Sequence, residues 1–344
     1  MMVFHTVIIS TLFCANSFAS GFLPSDATGE ILTDPGIHLL AKIVAPATQF
    51  TEGTCDELIR QMLTTKDLAI PAANLWLEGY IDRPENERFR WRQQAAVMIL
   101  ALGYAGGKEV PPGLPKIISS PAGRVYAEFP DFQGMETRAS LREYAAFSYL
   151  TFDPIQARTF ALRFIAEDPF ASRVCALIID QTWQREDSRA LLELAARSSW
   201  TTTIATALAV LKKHDNGMYI TALELFRKEL EEPAPFFRSL EERFRFFVRR
   251  DRLVEAFGLV REEAMLKTLL KIAELNERGR WQGRQLIPSP TKKVERLYDR
   301  TTSEQAVLAI QDIAQRDFGY TDGQSDEEWR AVLQRCREYV ARRK

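Results

Sequence analysis

The amino-acid sequence predicts an all-α protein, an α-solenoid of stacked helical hairpins with an irregular Gly/Pro-rich insertion and a C-terminal capping helix. Three observations lead to this class. Short amphipathic segments follow one another from residue 153 to 215, and each has one apolar face to bury. Their apolar pattern returns after about thirty residues, as it does in stacked helical hairpins. Only residues 124–129 have the pattern of an extended strand.

Two helices of this stretch are predicted to begin at Asp-Pro pairs, Asp153-Pro154 and Asp168-Pro169. An aspartate before a helix accepts a hydrogen bond from the free amides of the first turn. A proline in that turn has no N–H to leave unsatisfied. The two pairs therefore bracket one helix and open the next.

The following helices repeat the same apolar pattern. Leu191, Leu192 and Ala195 correspond to Phe160 and Phe164, while Ile204, Ala207, Leu208 and Leu211 correspond to Val174 and Leu177. Residues 173–177 and 204–208 place small side chains among apolar ones, and in this they resemble the inner helices of HEAT-type repeats. The resemblance implies a curved stack of helical hairpins. The alternative interpretation is an irregular helical domain without true repeats.

The N-terminal segment predicts export. The first twenty residues contain no Asp, Glu, Lys or Arg, and Ser17 and Ala19 stand where a signal peptidase requires small residues. The apolar run is short for a membrane span. We therefore expect residues 1–19 to be a signal peptide. The mature protein is expected to be periplasmic or extracellular, with no membrane span.

The remaining chain is predicted to consist of a lead-in at 20–50, a helical repeat domain at 51–278, a hinge loop at 279–290 and a C-terminal helical cap at 291–344. Helices are expected at about 54–64, 72–83 and 87–105, the last one ended by two glycines. Residues 106–134 then form an irregular insertion, because ten of them are Gly or Pro.

Composition argues against several functional classes. The 45 basic and 46 acidic residues nearly cancel, so neither nucleic acid nor an acidic membrane is a favoured partner. Signal cleavage leaves three cysteines, Cys55, Cys175 and Cys336. This odd number favours buried thiols over a disulfide framework, with one bridge as the alternative. Only two histidines, His38 and His214, are left for metal or triad chemistry. We expect no catalytic residues, no cofactor and no metal site.

The insertion at 106–134 is the first candidate for a binding element. Long irregular connections in helical proteins are usually functional or disordered. The aromatic residues Tyr126, Phe129 and Phe132 indicate that this one is packed. The alternative is a structural insertion that seals one end of the helical stack.

A second candidate lies on the helix predicted after residue 236. Four arginines share one helix face at spacings of seven, four and three, namely Arg238, Arg245, Arg249 and Arg252. Such a face can hold phosphate or carboxylate groups. Because acidic residues lie close by, a solvated salt-bridged face is the competing interpretation. Trp281, among the arginines of the hinge loop, is a third candidate contact for a partner.

The C-terminal region carries the more specific resemblance. Asp317-Phe318-Gly319-Tyr320, followed by Trp329-Arg330, is similar to a closing signature of bacterial extracytoplasmic HEAT-repeat proteins. In that family it forms a terminal packing unit. The polar residues 321–326 are an insertion relative to the signature. A capping box of Ser325 with Glu328 is expected to begin the last helix.

These features favour a non-enzymatic extracytoplasmic scaffold that binds a protein or peptide partner through a helical-repeat surface, because stacked hairpins offer a broad surface for recognition. The alternative is a carbohydrate-active enzyme, a lyase or glycosidase on an α/α-toroid. Such an enzyme requires two acids held about 5–10 Å apart in a cleft.

The apolar periodicity of residues 153–213 generates a stability prediction. Replacing Leu208 by Asp places a charge on a buried helix face and is expected to cost several kcal/mol of unfolding free energy. Thermal melting followed by circular dichroism measures the effect. A melting curve indistinguishable from that of the wild type would contradict the helix assignment there.

Overall fold

The structure, a computed structural model, describes residues 35–44, 54–132, 135–232, 239–275, 302–321 and 324–343. These ranges contain sixteen α-helices, short 3-10 turns and one two-stranded sheet, so the predicted all-α class is confirmed. The chain divides into two compact units, Met1–Ala190 and Leu191–Lys344.

The first unit has nine helices in its described residues, with a β-hairpin between the sixth and the seventh. They are α1 (Pro35–Val44), α2 (Thr54–Thr64), α3 (Lys66–Ile81), α4 (Glu85–Arg90), α5 (Arg92–Ala105), α6 (Gly113–Ser119), α7 (Leu141–Tyr149), α8 (Pro154–Glu167) and α9 (Arg173–Gln181). The strands are β1 (Tyr126–Phe132) and β2 (Met135–Ser140). Helix α10 (Ser188–Arg197) runs across the boundary between the units.

Helix α5 lies at the centre of the first unit. Every residue from Gln94 to Gly103 is buried. Alternate helices pack in succession, since α3 contacts α1 and α5 while α7 contacts α5 and α9. A Cβ atom at Gly103 would lie 2.6 Å from Cβ of Ser148 in α7, so only glycine permits this approach. The Ser148 hydroxyl donates a hydrogen bond to the Ile99 carbonyl oxygen at 2.8 Å. Small residues therefore set the close spacing of α5 and α7.

The second unit contains two rows of helices in its described part. Its remaining helices are α11 (Thr201–His214), α12 (Asn216–Glu231), α13 (Leu240–Leu259), α14 (Leu266–Glu274), α15 (Thr302–Ala314) and α16 (Asp326–Arg342). Helices α11, α13 and α15 contact one another in order, as do α12, α14 and α16. Leu208, Phe226, Phe257 and Ile310 are fully buried in these helices, so each amphipathic face packs inward, as periodicity predicts.

Helix boundaries match the sequence prediction at some starts and differ at others. Asp153 is an N-cap, because its carboxylate accepts a hydrogen bond from the Gln156 backbone N–H at 2.9 Å. The prediction that Asp168 begins the next helix is wrong. The Ser172 hydroxyl caps α9 by accepting from the Val174 backbone N–H at 3.2 Å. The Asp168 carboxylate instead forms an ion pair with Arg142, 26 residues away.

The helices expected before residue 106 also differ in extent. The helix at 54–64 has the predicted bounds, whereas the one expected at 72–83 begins at Lys66. The helix expected at 87–105 is two helices, because the backbone of Trp91 leaves the helical conformation.

The stretch 106–134 is more ordered than its Gly/Pro content predicts. It contains α6, a 3-10 turn at Pro121–Arg124 and strand β1. Strand β2, which follows it, was not predicted, and it pairs with β1 in antiparallel register from Tyr126↔Ser140 to Phe132↔Met135. The strands persist because one face of the hairpin is buried, as Ala127 and Ala139 show.

The capping box and the buried face predicted for the last helix are present. A capping box of Ser325 and Glu328 begins α16, which buries Trp329, Val332, Leu333, Cys336 and Val340. Phe318 is buried against Tyr339, with ring centroids 5.6 Å apart, and Tyr320 meets Trp329 edge-on at 6.1 Å. Cys175 and Cys336 are buried free thiols, while Cys55 lies where side chains are not described. No helix in the described ranges has the length and apolar character needed to cross a bilayer.

Asp251 in α13 generates a prediction about pH. Burial raises its pKa to about 7, although a hydrogen bond with Thr302 acts to lower it. Its Oδ1 atom is buried without a hydrogen-bond partner in the described residues. An aspartate in an unfolded chain has a pKa of about 3.9. The folded state therefore holds the proton more tightly, and stability falls as the pH rises from about 4 to about 7.

Asp251→Asn removes this titration. The stability of the variant relative to the wild type is expected to increase between about pH 5 and about pH 8. The increase is on the order of 2 kcal/mol, since one pKa unit corresponds to about 1.4 kcal/mol. Urea unfolding at both pH values measures the difference. Glu327→Gln, at an exposed position in the first turn of α16, is the control. An equal gain for Asp251→Asn at both pH values would contradict the assignment.

Candidate binding site: an arginine-lined cleft

A cleft of about 1010 Å³ opens in the first unit beside the β-hairpin. One wall is α4 with the start of α5, and the other is the 3-10 turn with the two strands. The lining residues are Glu85, Asn86, Arg88, Phe89, Arg92, Pro121, Arg124, Val125, Tyr126, Glu128 and Arg138. Four arginines against two glutamates give the cleft a positive charge, although the whole chain has a formal net charge of −1. The cleft therefore favours anionic ligands.

The helical wall is fixed by buried aromatic residues beneath it. The Tyr80 hydroxyl donates a hydrogen bond to the Arg88 carbonyl oxygen at 2.8 Å. The ring of Trp91, between α4 and α5, is buried and lies 5.3 Å from the guanidinium carbon of Arg90. These contacts hold the short helix α4, so that Phe89 remains 60% exposed at the cleft.

The strand wall begins at a tight turn. A Cβ atom at Gly123 would lie 2.1 Å from the Ile117 carbonyl oxygen, so the turn that presents Arg124 requires glycine. The Val125 carbonyl accepts a hydrogen bond from the Leu141 backbone N–H at 2.9 Å. The Glu128 backbone N–H donates to the side chain of Gln93 in α5 at 3.3 Å. The hairpin is thereby attached to α5 and α7.

The two faces of the hairpin have different environments because side chains alternate along a strand. Ala127 and Ala139 are fully buried on one face. Tyr126, Glu128 and Arg138 line the cleft. Register explains their proximity, since Glu128 is directly opposite Arg138. Period-two alternation thus divides the hairpin into a core face and a cleft face.

A buried carboxylate, that of Glu143, joins the end of the hairpin to two helices. Its Oε2 atom accepts hydrogen bonds from the backbone N–H and the hydroxyl of Ser140, both at 2.7 Å. Its Oε1 atom accepts from the Ser172 backbone N–H at 2.6 Å and from the Cys175 thiol at 3.3 Å. Burial raises the pKa of that thiol, and the negative charge of Glu143 raises it further. Four donors therefore satisfy one buried charge.

Asp168 anchors the tyrosine of the cleft. The Tyr126 hydroxyl donates to Asp168 Oδ2 at 3.3 Å, and Arg142 pairs with the same oxygen. Burial raises the pKa of Tyr126, and the charge of Asp168 raises it further. The hydroxyl is thus neutral and occupied, which leaves the ring of Tyr126 as its contribution to the cleft.

The four arginines of the cleft are in two different states. Arg92 stacks on Phe89 with its guanidinium carbon 3.9 Å from the ring centroid, and Arg138 lies 5.5 Å from that of Tyr126. In the described part of the chain, the side chains of Arg88 and Arg124 have no hydrogen bond or ion pair, and Nε of Arg88 is buried. Two guanidinium groups therefore lie against aromatic rings, and two form no ion pair within the described ranges.

The three aromatic residues predicted as partner contacts in the insertion all lie in strand β1 of the hairpin. Tyr126 lines the cleft. Phe129 and Phe132 lie in strand β1, paired with Thr137 and Met135. Of these three residues, only Tyr126 contributes a described side chain to the cleft.

Three of the four arginines predicted on the later helix lie in α13 of the second unit, and each has its own acidic partner. Exposed Arg245 pairs with Glu241 at 2.5 Å, Arg249 with Glu229 at 3.1 Å and Arg252 with Glu255 at 2.9 Å. Arg249 also donates to the Ser198 carbonyl oxygen at 2.5 Å. These contacts are those of a salt-bridged helix face. Arg238 and Trp281 lie outside the described residues.

Sequence reasoning missed Arg88, Phe89, Arg92, Arg124 and Arg138 as members of one site. A signal was present, because residues 85–92 read ENERFRWR and interleave arginines with aromatic rings. The sequence did not show that residues 85–92 face residues 121–138, because tertiary contacts bring these two segments together.

Comparison with known proteins adds no assignment. No protein-family model matches the chain, and neither a curated protein nor a solved structure is detectably similar to it. Within the described residues, no group of three or more His, Cys, Asp or Glu side chains is placed to hold a metal ion.

The Glu143 network generates a stability prediction. Glu143→Gln replaces one acceptor oxygen by an NH₂ group that faces N–H or O–H donors, and it is expected to cost about 2–4 kcal/mol of unfolding free energy. Urea unfolding measures the loss. Glu167→Gln, at an exposed position at the end of α8, is the matched control and is expected to change stability by less than about 0.5 kcal/mol. Equal stabilities of the two variants would show that the network is dispensable.

Proposed function

We propose that this protein is a non-enzymatic extracytoplasmic scaffold that binds a protein or peptide partner, and that the arginine-lined cleft receives the partner. The observation that carries the proposal is the exposed Phe89 ring beside four guanidinium groups in one open cleft. Guanidinium groups donate hydrogen bonds and stay charged, so they suit recognition better than proton transfer. An aromatic ring surrounded by arginines is also the composition of protein-binding hot spots.

The packing of alternate helices supports a finer proposal about the fold. Within each unit we propose that helical hairpins stack in a HEAT-like manner, because α1, α3, α5, α7 and α9 pack in succession in the first unit. The two rows α11–α13–α15 and α12–α14–α16 give the same pattern in the second. Stacked hairpins bury one face of each helix in a row and leave the rest for binding.

Export is part of the same proposal. It is supported by the uncharged, apolar residues 1–19, which lie outside the described residues. The resemblance of residues 317–330 to the closing signature of extracytoplasmic HEAT-repeat proteins also supports export. Two residues of that signature, Phe318 and Trp329, are both 2% exposed, as a packing unit requires.

One observation favours the alternative, a carbohydrate-active enzyme. Glu85, Glu128 and Tyr126 line the same cleft, and paired carboxylates are the catalytic groups of most glycosidases. The two candidates make different demands on the cleft, because a scaffold requires the arginines and a glycosidase requires the acids.

Affinity capture from the native extracytoplasmic fraction tests the proposal. Immobilised wild-type protein is compared with Arg88→Glu/Arg124→Glu and with Arg60→Glu/Arg189→Glu, which changes charge equally at exposed sites outside the cleft. We expect specific proteins to be retained by the wild type and the control and lost from the cleft variant. Identical protein profiles from all three would remove the cleft from the proposal. Turnover of an oligosaccharide that is abolished by Glu85→Gln/Glu128→Gln would establish the alternative.

A further inference from the structure

We propose that the cleft recognises an acidic peptide segment with several carboxylates. This inference rests on the proposed function and specifies the chemistry of the partner. It begins from the arrangement of the four arginines, of which two stack on aromatic rings and two have no counter-charge in the described residues.

Stacking prepares a guanidinium group for a carboxylate. The guanidinium carbon of Arg92 lies over the Phe89 ring, 3.9 Å from its centroid, and this contact positions the guanidinium group and its N–H groups. Those N–H groups form the planar fork that binds a carboxylate through two parallel hydrogen bonds. One N–H of Arg92 already donates to the Phe89 carbonyl oxygen at 2.6 Å, which fixes the orientation of the fork. Arg138 is a second guanidinium beside an aromatic ring of the cleft, 5.5 Å from the Tyr126 centroid, and it also pairs with Glu128 at 3.5 Å.

Arg88 and Arg124 are expected to contribute most to binding, because their guanidinium groups have no ion-pair partner in the described residues. Arg88 is half-buried, its Nε atom is fully buried, and no side-chain partner accepts from it in the described residues. A partly buried cation without an ion-pair partner is costly, and a carboxylate that enters the cleft lowers this cost. Arg124 is exposed and can meet a second carboxylate nearer to the solvent.

The size of the cleft leaves room for more than one anionic group. A volume of about 1010 Å³ is at the upper end of the range for small-molecule sites and far exceeds a single ion. The glutamates also limit the choice, because Glu128 lies 3.5 Å from Arg138 and neutralises only part of the charge. A run of carboxylates fills this volume and balances the remaining arginines.

A peptide fits these observations better than an acidic polysaccharide. A sugar ring binds to a protein by stacking on an open aromatic face. In this cleft a guanidinium group lies over one face of Phe89 and of Tyr126, which reduces the aromatic surface left for a sugar. The cleft presents mainly hydrogen-bond donors, which match a run of carboxylates more closely than the hydroxyl groups that form most of the polar surface of an acidic polysaccharide. A flexible acidic chain also adapts its carboxylates to guanidinium groups at different depths.

Fluorescence anisotropy with a fluorescein-labelled hexaglutamate peptide tests the inference on the full chain. We expect binding that weakens as salt is raised, because the contacts are ionic. Arg88→Gln/Arg124→Gln is expected to weaken binding by about tenfold or more, which corresponds to about 1.4 kcal/mol. The control Arg60→Gln/Arg189→Gln is expected to change binding by less than about twofold. Arg124→Gln alone, at an exposed position, gives an intermediate loss and guards against misfolding of the double variant.

Three further probes decide between outcomes. A hexaglutamine peptide is expected not to bind, and inorganic phosphate is expected to compete only weakly. The inference is overturned if hexaglutamate does not bind, if it binds the cleft variant as well as the wild type, or if a sulfated oligosaccharide binds more tightly and with the same dependence on Arg88 and Arg124. If hexaglutamate fails while native proteins are still captured through the cleft, the proposed function survives and only the acidic specificity is lost. If neither binds, both proposals fail.

Discussion

The structure of the first unit depends on one buried carboxylate, that of Glu143. Burial of an unpaired charge costs many kcal/mol, so such a group is tolerated only when donors surround it. Here two backbone N–H groups, a hydroxyl and a thiol converge on the two oxygens. Glu143 lies in the first turn of α7 and accepts from Ser172, the N-cap of α9. The carboxylate thus also interacts with the positive ends of two helix dipoles. One side chain fixes where the hairpin ends and where two helices begin.

The position of the hairpin in turn creates the cleft. Alternation along its strands sends alanines into the core and Tyr126, Glu128 and Arg138 toward α4. The Asp168 carboxylate, which pairs with Arg142 and accepts a hydrogen bond from the Tyr126 hydroxyl, also holds strand β1. On the facing wall, Tyr80 and Trp91 fix the short α4. The arginines are therefore positioned by side chains whose own places are set by packing. Their charges make the cleft locally positive, although the chain as a whole is nearly neutral.

Local sequence signals were reliable where a single helix determined the result. The Ser325–Glu328 capping box and the five buried residues of α16 followed from spacing alone. Asp168 shows the limit of such signals. Its Asp-Pro pair has the chemistry of an N-cap, but an arginine from α7 competes for the carboxylate and Ser172 takes the capping role. The strand at 135–140 escaped prediction for a similar reason, since it is stabilised by pairing with β1 and by contacts with α7 and α9.

The cleft itself was beyond sequence reasoning because it joins residues 85–92 to residues 121–138 through tertiary contacts. Tyr126 was selected for its aromatic character, and the structure places it in the cleft. Arg88 and Arg124 differ from Arg245, Arg249 and Arg252 in forming no ion pair within the described residues. Spacing along one helix reveals a shared face. It does not reveal which cations already have partners.

Hydrogen–deuterium exchange of Glu143→Gln, compared with the wild type under conditions where both are folded, tests the central claim most directly. If the buried carboxylate positions the hairpin and so builds the cleft, amide protection falls at residues 125–128, 137–143 and 172–175. Protection is then unchanged in α11 of the second unit. Loss of protection spread evenly over the chain, or none in the hairpin, would contradict the account.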